Sequence, residues 1–320
     1  MQFWPRKRAR RVLARVRSWV SESKARPLGF VGYKAGMTHV QFLDERPKSP
    51  TSGEAVTLPV TIIECPPLLA VGIVFYKKSV LGLKKMASLA APGLSKDLSR
   101  LVPLPKKEAG KKPDDFINQL KEGEDFDDLR LLVQTTPKEV SGGTKKPRLM
   151  ELALGGKKEE KLAYAKEILG REIKVSDLFE RGSFVDVKGL TKGKGFQGTV
   201  KRFGIPIRQH KAEKTKRGIG TLGPWTPKRV DFTVAHAGKM GYHERTEYNK
   251  QIFKVGEKGS ELEFAGGLTR YGRIKNAYLL LKGSVMGPKK RPVVLTPALR
   301  SHPKALDREI PEIKYISLRG

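Results

Sequence analysis

The chain has 320 residues, with 64 Lys and Arg against 33 Asp and Glu and a formal net charge of +31. That length admits one large or two modest domains with a real core. The charge calls for a polyanionic partner, nucleic acid ahead of an anionic membrane surface. The longest apolar run, Leu68–Tyr76 with Gly72 inside it, is too short to span a membrane. The single cysteine, Cys65, excludes an internal disulfide and fits a reducing, cytoplasmic compartment. Its apolar setting, IIECPP, points to an inert buried thiol.

Residues 1–28 form a basic tail in which nine Lys and Arg face Glu22 alone. Arg15 and Arg17 interrupt any apolar core that a secretory signal would need. The composition is shared with organelle transit peptides, but a basic arm that orders on nucleic acid is the favoured reading. Residues 29–45 alternate well enough for two short strands around a turn at Lys34-Ala35-Gly36. Strands rich in β-branched residues follow at 56–64 and 69–76.

Residues 77–107 give no clear pattern, while 108–180 carry sixteen of the acids against fourteen bases. This shift marks an inserted, solvent-facing α+β subdomain over 77–180. A helix is expected to begin near Pro113-Asp114-Asp115, where acids suit a helix N-terminus. Another should span about Lys157–Leu169 and stop at Gly170. A short one should cover Ser176–Glu180 with Ser176 as cap. Short strands are expected at Leu131–Gln134 and Leu149–Leu154.

Phe184–Val187 reads as a strand, and a basic excursion leaves from its end. Lys188–Lys250 holds fifteen bases and four acids. Its first part, Lys188–Trp225, is too basic and too glycine-rich to bury the apolar surface that would offset its ordering entropy. Against a polyanion it offers a row of cations, close backbone approach at glycine, and planar groups at His210 and Trp225. Strands return at Gln251–Val255, Glu261–Phe264, Asn276–Lys282 and Arg291–Leu295, before a basic, Pro-containing, extended C-terminus. The fold class is therefore mixed and β-dominated, α+β. Short strands from both ends of the chain favour a small closed β-barrel. Its parts are 29–76, 181–187 and 251–300, interrupted by the insert at 77–180 and the extension at 188–250. The basic tail at 1–28 and a C-terminal extension at 301–320 flank it.

Catalytic patterns fail on context. Gly193-x-Gly195-x-x-Gly198 has dinucleotide-binding spacing, but the following TVKRFGIPI is broken by Gly204 and Pro206, and the other parts of a kinase are missing. His243-Glu244 lacks the second histidine of a zinc protease, because position 247 is Glu247. No catalytic residue, cofactor, metal or small-molecule substrate is expected. Trp225 stands among Gly220, Gly223, Pro224 and Pro227 with polar neighbours, which argues for an aromatic that reaches a partner rather than a core tryptophan. The competing reading is an rRNA-modifying enzyme or assembly factor with a basic substrate arm.

In order along the chain, GFVGYKAGMTHV, VKGLTKGKGFQGTVKRFG, RGIGTLGPWTPKRV, AGKMGYHERTEYNKQI and LLLKGSVMGPKKR resemble the universal large-subunit ribosomal protein L-three family in its archaeal form. The resemblance implies a barrel of the translation-protein type and an extension that runs through large-subunit rRNA toward the peptidyl transferase centre. It also implies early binding to the 3′ region of that rRNA and neighbouring large-subunit proteins. Trp225 matches the family's tip tryptophan. Lys216-Arg217-Gly218 stands where eukaryotic members carry a histidine before Arg-Gly, so no role of that histidine is carried over. The expected rRNA-binding residues are Arg6, Lys7, Arg8, Arg10 and Arg11 of the tail, Lys34, and Lys192, Lys194, Lys201, Arg202, Arg208, His210, Lys211, Lys214, Lys216, Arg217, Trp225, Lys228, Arg229, His243 and Arg245 of the extension.

Overall fold

The computed structural model describes residues 4–45, 49–104, 126–141, 144–211, 214–264, 266–300 and 312–318. The helix expected at Pro113 lies outside them. The fold is β-rich α+β, with two antiparallel sheets of more than two strands.

The larger sheet is built from both ends of the chain. Its strands are β1 (Phe30–Leu43), β2 (Ala55–Glu64), β8 (Phe184–Leu190), β11 (Glu244–Gly256), β12 (Tyr278–Lys282), β13 (Pro292–Pro297) and β14 (Ile313–Ile316). They pair in the order β13-β8-β11-β12-β2-β1-β14, and β13 also pairs with β1. Following the hydrogen bonds from β1 through β2, β12, β11, β8 and β13 therefore leads back to β1. β1 is one strand, not two. The expected turn at Lys34-Ala35-Gly36 is only a shift of register against β2 between Lys34 and Gly36.

The smaller sheet is the insert. β3 (Leu68–Ser79), β4 (Gly82–Ala90), β5 (Asp128–Gln134), β6 (Leu149–Ala153) and the two-residue β7 (Glu172–Ile173) compose it. They pair in the order β4-β3-β5-β6, with β7 also on β3. The β3–β4 hairpin occupies the stretch where the sequence showed no pattern. α1 (Lys158–Ile168) falls where periodicity placed it. Ser176–Glu180 is a turn, with Leu178 and Phe179 amides bonded back to Val175. Glu261–Phe264 is not a strand but follows a single 3-10 turn at Gly259–Glu261.

β12 shows why so many strands are buried on both faces. Leu279 and Leu281 enter a cluster that continues into the insert through Leu68, Ile73, Phe75, Leu131 and Ala165. Tyr278 and Leu280 enter a second cluster with Phe42, Phe253, Leu268 and Tyr271. Period-two alternation thus feeds two cores from one strand. Cys65 is 1% exposed, and burial, then Glu64, pushes its thiol well up, as an inert thiol requires.

Glu64 is fully buried, and its carboxylate is saturated. Oε1 accepts from the Lys275 and Asn276 amides at 3.0 Å each and from Asn276 Nδ2 at 2.9 Å. Oε2 accepts from the Tyr271 hydroxyl, whose pKa is raised by burial and then by that carboxylate. A buried polar group is tolerated only when its hydrogen bonds are so supplied.

Candidate nucleic-acid interface

β8 runs to Leu190 and β11 begins at Glu244, so the extension departs later and returns earlier than 188–250. Lys188 belongs to the sheet, buried, with its ammonium on Thr296 Oγ1. The neck of the extension is a two-stranded ribbon. Thr191 and His243 exchange backbone and side-chain bonds at 3.0 and 3.1 Å. Beyond them β9 (Phe196–Gln197) pairs with β10 (Gly238–Lys239). Gly241 is required here: its φ is +75°, and a Cβ would lie 2.0 Å from the Lys192 carbonyl oxygen.

The chain then makes one helical turn, α2 (Thr199–Phe203), ended by Gly204. The glycine motif therefore does open a helix, contrary to the expectation. The helix has only five residues, far short of what a dinucleotide fold needs.

The N-terminal segment does not stand apart as a free arm. It packs on the protein without regular secondary structure. Ala14 is buried, and Leu13, Val16 and Trp19 lie against the larger cluster. Near its start it straps the neck. The Ala9 amide donates to the Tyr242 carbonyl at 2.9 Å, and His243 Nδ1 meets the Lys7 carbonyl at 2.9 Å. His243 Nε2 accepts from the Gly241 amide at 3.1 Å, so Nδ1 is the donor to Lys7. Trp4 stacks on Phe203 at 5.7 Å, and the Arg6 guanidinium lies 4.4 Å from the centroid of the same ring.

Arg202 locks the strap. Its guanidinium donates to the carbonyls of His236 at 2.8 Å, Arg6 at 2.9 Å and Lys239 at 3.1 Å. Arg6 returns a bond to the Arg202 carbonyl at 2.7 Å. Burial, then the nearby Arg6, lowers the pKa of Arg202, and the same two causes lower that of Arg245. Arg245 also donates to the Glu244 carbonyl at 2.8 Å. Further out, Arg208 closes a loop by donating to the Ile219 carbonyl at 2.8 Å while its amide bonds Lys216.

The expected binding residues thus divide into two sets. Lys7, Arg8, Arg10, Arg11, Lys192, Lys194, Lys201, His210, Lys211, Lys214, Lys216, Arg217, Lys228 and Arg229 are exposed. So is Trp225, at 84%, with Lys228 Nζ 5.7 Å over its ring. Arg6, Arg202, Arg208, His243 and Arg245 are partly covered and hold the interface in shape. Lys34 requires a correction. It is 8% exposed, and its ammonium bonds the Val285 carbonyl and, at 3.2 Å, that of Gly287. The pleat of β1 turns it inward, where its charge serves backbone carbonyls rather than phosphate. The sequence reading also missed Trp4, Phe203 and Phe232, apolar residues in a polar stretch that together mark the strap. Phe232 meets Trp4 edge-on at 6.1 Å.

Comparison with known proteins identifies the family. Residues 1–319 match the family described as ribosomal protein L3. The chain is 45% identical over 321 residues to large ribosomal subunit protein uL3 of Methanocaldococcus jannaschii, covering 99% of this chain and 94% of that one. It is 46% identical to the uL3 proteins of Methanothermobacter thermautotrophicus and Methanosphaera stadtmanae, each covering 98% of this chain and 94% of the relative. The chain belongs to the ribosomal protein L3 family and is a structural ribosomal constituent, not an enzyme.

Proposed function

We propose that the extension and the N-terminal strap form one rRNA-binding surface, and that the extension carries Trp225 through the rRNA toward the peptidyl transferase centre. Family membership places the chain in the large ribosomal subunit, in the cytoplasm. The ring of strands that returns on itself is, in this reading, the barrel of the translation-protein type from which the extension projects. The observation that carries the proposal is the exposed set: ten cationic or imidazole side chains and one tryptophan on a thin arm, with four more cations on the strap beside its neck. Such an array has no fold-stabilising use, and its self-repulsion is relieved only by a polyanion. Cations neutralise phosphates and release counterions, which supplies most of the affinity. Trp225 stacks or wedges among bases. The 3′ region of the large rRNA is the proposed early target, with other large-subunit proteins as neighbours.

The test is the salt dependence of binding to large-subunit rRNA. Arg217→Ala and Lys194→Ala should each lower the log–log slope by ~0.7–0.9, the value for one phosphate contact. An unchanged slope for both places these side chains away from phosphate and removes the arm from the interface.

A further inference from the structure

The β3–β4 hairpin lies on the insert, remote in sequence from the extension, and no reading of the arm uses it. Its tip is unusual. Ser79 pairs with Gly82, leaving Val80 and Leu81 as a two-residue loop, exposed at 104% and 100%. The backbone demand of the turn falls on Gly82, whose φ is +114°. Nothing in the turn itself calls for Val80 and Leu81 at the point, and neither suits solvent. Behind the tip, Lys77 stands directly across from Lys84, with Lys78 and Lys85 beside them. All four lysines are exposed. Like charges in direct cross-strand register destabilise a hairpin. Asp127, immediately before the neighbouring strand β5, is engaged by the Lys78 backbone amide. Residues 65–96 contain no acid at all.

We propose that this hairpin is a second RNA-binding site, separate from the extension. Its lysines lie on phosphates, and Val80 and Leu81 pack against sugar and base edges in a shallow groove or junction. The occupant follows from complementarity. Four cations with an apolar point suit RNA, whose A-form minor groove is wide and shallow and whose junctions expose unstacked bases. Apolar side chains act as wedges in such places. The inference rests on the rRNA reading above, and the experiment separates the two.

Because Cys65 is buried, Leu81→Cys and Trp225→Cys each give the full chain one reactive thiol for an iron chelate that generates hydroxyl radicals. The tethered proteins are assembled with large-subunit rRNA. Cleavage from both sites, at separate rRNA positions, is the expected result. Cleavage from Trp225→Cys alone overturns the hairpin proposal and leaves the arm reading standing. Cleavage from neither overturns the rRNA reading itself. Replacing the four lysines by Gln should lower the salt slope of rRNA binding by about three, from ~0.7–0.9 per contact. An unchanged slope, or loss only of a contact to an acidic protein in the assembled subunit, overturns the site as an RNA contact.

Discussion

Lys34→Met separates a structural lysine from an RNA-binding one. The substitution keeps the unbranched stem of the side chain and removes the ammonium. It leaves the carbonyls of Val285 and Gly287 without the donor that now serves them. Orphaning a buried acceptor costs ~1–3 kcal/mol, and a hydrogen bond to a charged group is worth ~1.5–3 kcal/mol. Relief of burying the charge and the added apolar contact of Met offset part of this, so the net loss should be about 2 kcal/mol. With a urea slope of ~2–3 kcal/mol/M, the unfolding midpoint falls by about 0.7–1 M. The salt slope of rRNA binding should not move. The pH dependence gives an independent readout. Burial, then Lys192, lowers the pKa of Lys34 in the folded protein, with Glu247 opposing. From that depressed value up to the unfolded value of ~10.4, the unfolded chain binds more protons. The wild type should therefore gain stability relative to Lys34→Met as pH rises through that window, whereas below it the cost of the buried ammonium is present in full. An unchanged midpoint together with a slope lowered by ~0.7–0.9 would mean that Lys34 meets phosphate and the inward assignment is wrong.

Trp225→Ala should change unfolding stability by less than ~0.5 kcal/mol, because the ring is 84% exposed. In subunits it should disturb peptidyl transfer, and a large loss of stability instead would make the ring a core residue. Arg202→Met removes the guanidinium that joins the Arg6 carbonyl of the strap to the His236 and Lys239 carbonyls of the neck. Hydrogen exchange at the Ala9 amide should accelerate by about tenfold, equivalent to ~1.4 kcal/mol, and unchanged protection would show that the strap is held without it. Glu64→Leu strands three nitrogen donors and the Tyr271 hydroxyl. A loss of about 3–5 kcal/mol in thermal or urea unfolding is expected, from ~1–3 kcal/mol for each buried donor left without an acceptor, and a neutral effect would show that this carboxylate network does not hold the ring together.

Much of the sheet was legible because its strands carry β-branched residues between clear breaks. β2, β3, β5, β6, β12 and β13 fall within a few residues of their expected places. Errors cluster where a local signal was overruled from a distance. Lys34-Ala35-Gly36 has the composition of a turn, but pairing with β2 resumes after one register shift and runs on to Leu43, so the strand continues past it. The Glu261–Phe264 segment has alternating apolar residues, yet Leu262 and Phe264 both turn into the second cluster from irregular backbone. The site was half legible for a related reason. Charge density marks a candidate polyanion-binding stretch, but it does not distinguish a cation free to meet phosphate from one that meets a carbonyl. Arg202 and Lys201 are adjacent in sequence and equal in charge. Only the return of the N-terminal segment, nearly two hundred residues away along the chain, makes Arg202 a clamp and leaves Lys201 exposed.

The strap also changes the energetics of the interface. A free basic tail would spend its ordering entropy on binding. Here Trp4, Arg6, Ala9 and Ala14 are already committed to the protein, so the cost of fixing Arg8, Arg10 and Arg11 beside the neck has been met largely in folding. In the proposed rRNA complex, phosphate contacts from these residues would then contribute to affinity with little further loss of backbone freedom. The same packing ties the orientation of the neck to the N-terminal segment. Loosening the strap should therefore weaken rRNA binding by more than the charge it removes, because cations on both the tail and the extension lose their fixed relation.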